Sequence, residues 1–459
     1  MKENAFIALA CMTISLSLFS CHSTKQAEMD TPRRVILGDE QFEAYTPLLE
    51  GKRIALFSNH SGIVGDKITL SDGRSQYGGF TSSEEGDASL IHFGKDTDGN
   101  DITYGEHILD ALIFRGLEVT AIFSPEHGFR GNEDAGAHIS SGVDEKTGVP
   151  ILSLYENSST HSPSSQSMET FDTLLVDMQD VGLRYYTYYI ALYYLMDACA
   201  KNGKTVLILD RPNPNGFYVD GTILEDDYVS GIGLLPIPTV HGMTLGELAL
   251  MINGEGWLTA GKNACNLTII PCKNYTHQTK YALIRAPSPN IRDMRAVYLY
   301  ASTCFFENTL VSVARGTDFP FEAYGSPYFE NALSATLRKE PIISFTPESI
   351  QGATNPLFLG KTCYGIDLRK KPVQEIWKEG SDISYLADAY KIAKNEGKEN
   401  MFWGKADEQG KYWIDLLSGS ASLRMQLTAG KTAAEIKAGW QKDIEHFKSL
   451  RKPYLLYEE

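Results

Sequence analysis

Five short, unbroken apolar runs set the terms for this chain: Arg53-Ile-Ala-Leu-Phe57, Val119-Thr-Ala-Ile-Phe123, Val149-Pro-Ile-Leu-Ser-Leu154, Thr173-Leu-Leu-Val-Asp177 and Thr205-Val-Leu-Ile-Leu209. A run of this length without polar alternation reads as a strand covered on both faces, the condition met in a parallel sheet. Helical patterns intervene at 106–115, stopping at Gly116, and at 186–200, stopping near Gly203; glycine is the residue that most readily ends a helix. Strand alternating with helix predicts a doubly wound, Rossmann-like α/β domain, placed at residues 33–260. From Cys265 the pattern changes to a strand-like Leu267-Thr-Ile-Ile270, a helical 292–305, a short strand at 342–345 and amphipathic helices at 385–394 and 433–448. This predicts a smaller auxiliary α+β domain over 261–459. Residues 66–101, rich in Gly, Ser and Asp, are an insertion between the first strand and its helix, and connections that long inside a domain are usually functional.

A chain of 459 residues, 42% of them hydrophobic, can bury a core of that size without staples. Its 42 Lys and Arg against 58 Asp and Glu give a net charge of −16, with no basic run, which excludes a general nucleic-acid partner. Residues 1–20 read as a secretory signal, and Leu18-Phe-Ser-Cys21 resembles the lipobox of bacterial lipoproteins. The expectation is a protein acylated on Cys21, tethered through residues 21–32, attached to the membrane by that anchor alone and facing the periplasm. Five further cysteines, Cys199, Cys265, Cys272, Cys304 and Cys363, form no CxxC pattern. They read as isolated buried thiols, with pairing of Cys265 and Cys272 the alternative.

In open α/β sheets ligands bind beyond the carboxyl ends of the strands. Here those ends carry Ser58-Asn59-His60-Ser61-Gly62, Ser124-Pro-Glu126-His127-Gly-Phe129-Arg130-Gly131, Asp177-Met-Gln-Asp180-Val-Gly182 and Asp210-Arg211-Pro-Asn213-Pro-Asn-Gly216. No Gly-x-Gly-x-x-Gly follows a strand, the Gly-Lys-Thr triples lack their upstream glycine, and neither a Gly-x-Ser-x-Gly elbow nor a His-Glu-x-x-His helix occurs. Carboxylate chemistry remains, and it needs no cofactor. Two carboxyl groups in one cleft, one protonated and one ionised, are the minimum apparatus for cleaving a glycosidic bond. Glu126, between a buried strand and Phe129, is the natural general acid.

Three of these motifs, Ser124–Gly131, Val176–Tyr188 and Leu209–Gly216, together with Pro238-Thr-Val-His241-Gly-Met-Thr-Leu-Gly-Glu247 and Ala314-Arg315-Gly-Thr-Asp318-Phe-Pro-Phe-Glu322, resemble the exo-β-N-acetylmuramidase (NamZ) family of peptidoglycan glycoside hydrolases. The resemblance runs from about Arg53 to the end of the chain. It implies a Rossmann-like domain followed by an auxiliary domain, a site in the cleft between them, and release of N-acetylmuramic acid from the non-reducing ends of peptidoglycan fragments. It also implies that Glu126, beside His127, is the main catalytic residue. The second catalytic group is open among Asp177, Asp180, Asp318, Glu322 and the acetamido group of the substrate itself. N-acetylmuramic acid carries a lactyl carboxylate, for which Arg130, Arg184, Arg211 and Arg315 are candidate clamps. Asn59, His60, Tyr185, Asn213 and His241 complete the candidate substrate contacts. A binding protein without catalysis is the alternative, and the Glu126-His127 pair speaks against it. The strand ends at Asn59, Glu126, Asp177 and Asp210 are expected to share one sheet edge and to face 315–322.

Overall fold

The computed structural model describes residues 34–78, 93–95, 99–124, 129, 142–154, 162–331, 333 and 339–459. The signal segment, Cys21 and the tether lie outside the described residues. Each apolar run forms a strand: β1 Arg53–Ser58, β2 Glu118–Phe123, β4 Pro150–Leu152, β5 Thr173–Asp177 and β6 Thr205–Leu209, joined by β3 Gly142–Val143 and β7 Asn266–Ile270. The sheet order is β7-β6-β5-β1-β2-β4-β3, parallel throughout except for β3, which pairs antiparallel with β4. The chain moves outward from β1 through β2 to β4, then returns to the other flank of β1 and lays down β5, β6 and β7. The two directions part between β1 and β5, which is the topological switch point of the sheet.

The unbroken apolar runs are explained by burial on both faces. Ala55, Phe57, Leu174, Val176, Val206 and Ile208 point into one core, which includes the helix Tyr188–Lys201. Their neighbours Ile54, Leu56, Leu175, Leu207 and Leu209 point into the other, against Tyr45, Leu49, Ile108 and Leu112. Burying such a side chain contributes about 1.5–3 kcal/mol, so a polar residue at any of these positions is strongly disfavoured.

The expected junction at 260 is corrected by β7, which extends the parallel sheet beside β6 in register Asn266↔Thr205 to Ile270↔Leu209. The Rossmann-like layer therefore continues past residue 270. Beyond it, Ala323–Ser326, Cys363–Asp367 and Ile342–Phe345 form a three-stranded antiparallel sheet with Cys363–Asp367 in the middle. The helices Met294–Thr303, Ser384–Asn395 and Ala433–Arg451 accompany it. The last is opened by a Thr432–Glu435 capping box and carries Lys448 and Arg451 in its final turn, complementing its dipole at both ends. Ile366, Leu386, Trp440 and Phe447 belong to the same apolar core as Phe57 and Val176, and residues 34–459 form one compact unit.

Within the insertion, Lys67–Thr69 and Ser75–Tyr77 form a small antiparallel sheet with Thr103–Tyr104, which follows it. Ile68 packs with Ile63 and Ile284, which holds this sheet against the segment leading into Met294–Thr303. Cys199, Cys265, Cys272, Cys304 and Cys363 are buried free thiols. Cys265 and Cys272 flank opposite ends of β7, and burial pushes the Cys265 thiol up to about 12.

Candidate active site

The carboxyl ends of β1 and β5 lie side by side, with Ser58 in register with Asp177. Asn59 follows β1 and is fully engaged as a scaffold: its Oδ1 accepts from the Ser61 backbone and hydroxyl, and its Nδ2 donates to the Tyr188 hydroxyl at 3.0 Å. Tyr188 passes the bond on to the Pro287 carbonyl, which also accepts from Tyr186. His60 bonds through Nε2 to the Ala286 carbonyl at 2.7 Å. His107 is fixed in one tautomer, because its Nδ1 accepts from Leu109 while its Nε2 donates to the Asn59 carbonyl. Its ring meets Phe129 edge-on at 5.1 Å. Glu126, His127 and Arg130 lie outside the described residues; the described residues on either side of Glu126 are Ser124, just past β2, and Phe129 against His107.

Beneath this rim sits a buried ionic cluster. Arg211 donates to Asp177 through Nε at 2.6 Å and Nη2 at 3.0 Å, to Asp66 at 2.9 Å and to Asp39 at 2.7 Å. All four side chains are at most 5% exposed. Tyr281 donates to the other oxygen of Asp66 at 2.7 Å. One guanidinium faces three carboxyl groups; burial first, and then the neighbouring carboxylates, push Asp39 and Asp66 above the usual range. Two of the sequence expectations change here. Arg211, expected as a clamp for a ligand carboxylate, is committed to three carboxyl groups of the cluster, and Asp177, a candidate second catalytic group, is one of its partners.

Asp180 differs from the other carboxyl candidates. It lies at the switch point, 8% exposed, with Oδ1 accepting from the Gly182 backbone at 2.6 Å and Oδ2 without a hydrogen-bond partner among the described residues. Burial pushes its carboxyl up to about 7, against the pull of the Gly182 and Val181 amides. Gly182 makes the turn possible: φ is +76°, and a Cβ there would land on the side chain of Asn213. Asn213 is therefore a packing partner of this loop, donating to the Met243 carbonyl and accepting from the Asn215 backbone.

The remaining candidate residues are held by partners elsewhere in the chain or lie at the surface. Arg184 is fully buried and caps the carbonyls of Thr222, Ile237 and Leu417. Tyr185 is buried and donates to the Tyr300 carbonyl. His241 is buried, accepts from Met243 through Nδ1, and is held neutral because burial, then the charges of Arg451 and Arg184, lower it to about 3. Arg315 pairs with Glu307 at 2.5 Å and lies over Phe321. Glu322 is paired with Arg295 at 3.7 Å and is pushed up to about 8 by burial and by Asp293, so it belongs to the packing around Met294–Thr303. Asp318 is fully exposed, 4.0 Å from Arg292. The 315–322 segment is nonetheless joined to the loop after β5, since Phe321 packs on Tyr300 and Tyr300 on Tyr185. Sequence reasoning missed Asp39 and Asp66, which carry no motif and reach Arg211 from segments distant in the chain, and Tyr281, which holds Asp66.

Comparison with known proteins agrees with this architecture. Residues 98–295 match exo-beta-N-acetylmuramidase NamZ, N-terminal, and residues 298–457 match its C-terminal counterpart. The peptidoglycan beta-N-acetylmuramidase NamZ of Bacillus subtilis (strain 168) is 35% identical over 352 residues, 74% of this chain and 80% of that protein. Among solved structures, a DUF1343 family protein of Bacteroides fragilis NCTC 9343 superposes with a TM-score of 0.73 at 47% identity, covering 93% of this chain and 100% of its own. A second DUF1343 family protein of that strain, 24% identical with a TM-score of 0.68, shares the fold. The chain is thereby placed among the glycoside hydrolases. Within that class it belongs to the exo-β-N-acetylmuramidase NamZ family. The two family matches meet between residues 295 and 298, in keeping with β7 belonging to the first layer.

Proposed function

We propose that this protein is an exo-acting β-N-acetylmuramidase that removes terminal, non-reducing N-acetylmuramic acid from peptidoglycan fragments. The observation that carries this reading is the match of both halves of the chain, in order, to a family named for that reaction. In this reading Glu126 donates the proton that lets the glycosidic oxygen leave. Asp180 is the second group and takes the proton of the incoming water. Its support is the buried Oδ2 at the switch point, which has no hydrogen-bond partner among the described residues, while Asp177, Asp318 and Glu322 are committed to an ion cluster, exposed, or ion-paired elsewhere. The test of the function is turnover of an aryl β-glycoside of N-acetylmuramic acid; absence of product would reject the enzyme and leave a binding protein.

A base must be ionised to act, and burial holds Asp180 near 7. Activity is therefore expected to fall as pH drops through about 7, and Asp180→Asn, which keeps the acceptor for Gly182, is expected to lower turnover by about a hundred-fold or more. A pH–rate profile that stays flat from 5 to 8, or an Asp180→Asn enzyme with wild-type turnover, removes Asp180 from the reaction. The same reading places the enzyme on a lipid anchor at Cys21. Cys21→Ala is then expected in the soluble fraction with its specific activity intact, as the acyl chains of a mature lipoprotein are what hold it. Retention of that variant with membranes contradicts the anchor.

A further inference from the structure

Three of the four arginines that the sequence offered as carboxylate clamps are occupied: Arg184 on carbonyls, Arg211 on three aspartates and Arg315 on Glu307. A guanidinium with open donors stands elsewhere, on the loop 286–292. Arg292 donates through Nε to the Pro289 carbonyl at 3.1 Å, and its side chain is 34% exposed. Neither of its Nη atoms makes a hydrogen bond among the described residues, and Nη1 faces the fully exposed carboxylate of Asp318 at 4.0 Å. Exposed charges at that distance attract only weakly, so a ligand can engage both.

Tyr186 connects this pair to the switch point. Its hydroxyl donates to the Pro287 carbonyl of the loop 286–292, its ring meets Tyr300, on which Phe321 packs, and it is near enough to Asp180 to feel that carboxyl's charge. The loop is held on both flanks, because the Ala286 carbonyl accepts from His60 and Asn290 donates to the Gly352 carbonyl at 2.6 Å. Asp318 also lines a groove of about 550 Å³ with Thr317, Phe319 and Ser344, which leaves room for a sugar ring beside it.

The substrate carries the complementary groups on adjacent carbons. In N-acetylmuramic acid the lactyl ether is on C3, and C4 bears a free hydroxyl only when the residue is at the non-reducing end of a chain. A guanidinium fork takes a carboxylate through two parallel N–H bonds, and a carboxylate accepts from a hydroxyl. We propose that Arg292 binds the lactyl carboxylate and Asp318 the free 4-hydroxyl of the terminal muramic acid residue. One pair of side chains then sets both the preference for muramic acid over N-acetylglucosamine and the restriction to chain ends. This rests on the functional reading above.

The test compares aryl β-glycosides of N-acetylmuramic acid, of its 4-deoxy analogue and of N-acetylglucosamine, reading KM, or the inhibition constant of a glycoside that is bound but not cleaved. Arg292→Ala is expected to raise KM for the muramic acid glycoside about ten- to hundred-fold relative to the N-acetylglucosamine glycoside, with little change in kcat. Arg292→Lys keeps the charge but not the fork, and is expected to fall between. Asp318→Ala is expected to raise KM for the muramic acid glycoside about ten-fold and to spare the 4-deoxy glycoside, which has no hydroxyl to lose. An unchanged KM for the muramic acid glycoside in Arg292→Ala overturns the proposal, as does equal loss by Asp318→Ala on the hydroxyl-bearing and 4-deoxy glycosides. Should the wild-type enzyme turn over none of the three, the functional reading fails. The pair is then judged by calorimetry with free N-acetylmuramic acid, where binding that is absent, or that Arg292→Ala leaves unchanged, overturns it.

Discussion

Glu126→Gln is expected to lower turnover of a natural muramic-acid disaccharide by about a hundred- to ten-thousand-fold, the usual contribution of a positioned general acid. The amide preserves the shape of the side chain and its capacity to accept a hydrogen bond, so binding of N-acetylmuramic acid is expected to stay near wild type. What it removes is the proton for the departing sugar alcohol, a group too basic to leave as an alkoxide. An activated aryl leaving group departs without that proton, so the loss is expected to shrink on an aryl glycoside. This contrast separates a proton donor from a residue that only positions substrate, for which both substrates would suffer alike. Near-normal turnover of the disaccharide by Glu126→Gln takes Glu126 out of the mechanism.

The second large effect is on the fold. Arg211→Met leaves Asp39, Asp66 and Asp177 buried with no cation among them, and removing one side of a buried ion pair typically costs about 3–5 kcal/mol. The direction with pH follows from the carboxyl shifts. Asp39 and Asp66 already hold their protons more tightly in the folded protein than an exposed carboxyl does, because burial disfavours the charged form. Groups with raised folded pKa contribute stability that is present at low pH and lost as pH rises through the folded value. Without Arg211 those values rise further, so the deficit is expected to be smaller at pH 5 than at pH 8. Denaturant unfolding at the two pH values measures it. Equal stability of Arg211→Met and wild type at pH 8 contradicts the view that the guanidinium is what makes three buried aspartates tolerable.

The strands β1, β2, β5 and β6 are legible in the sequence because burial on both faces leaves a local mark, an apolar run with no alternation. The edge strand β7 is legible as a strand, but not as a member of this sheet. Its burial alternates, with Ile270 buried and Asn266 and Thr268 exposed, so locally it looks like a strand of any half-covered sheet. Which sheet it joins depends on the crossover from β6, not on its own residues. The arginines show the same limit from the side of chemistry. Proximity to a strand end places Arg211 in the right layer, but whether it turns outward to a ligand or inward beneath the rim is decided by Asp39 and Asp66, 172 and 145 positions away. Asp180 was legible as a candidate from its motif; its distinction from Asp177, three residues earlier, comes only from burial and partners in three dimensions.

The reaction proposed here is most directly tested by offering the wild-type protein two disaccharides that differ in order: N-acetylmuramic acid β-linked to N-acetylglucosamine, with the muramic residue at the non-reducing end, and the reverse. The account predicts release of free N-acetylmuramic acid from the first and no cleavage of the second, read by mass spectrometry of the products. Cleavage of both, of the second alone, or of neither would contradict it.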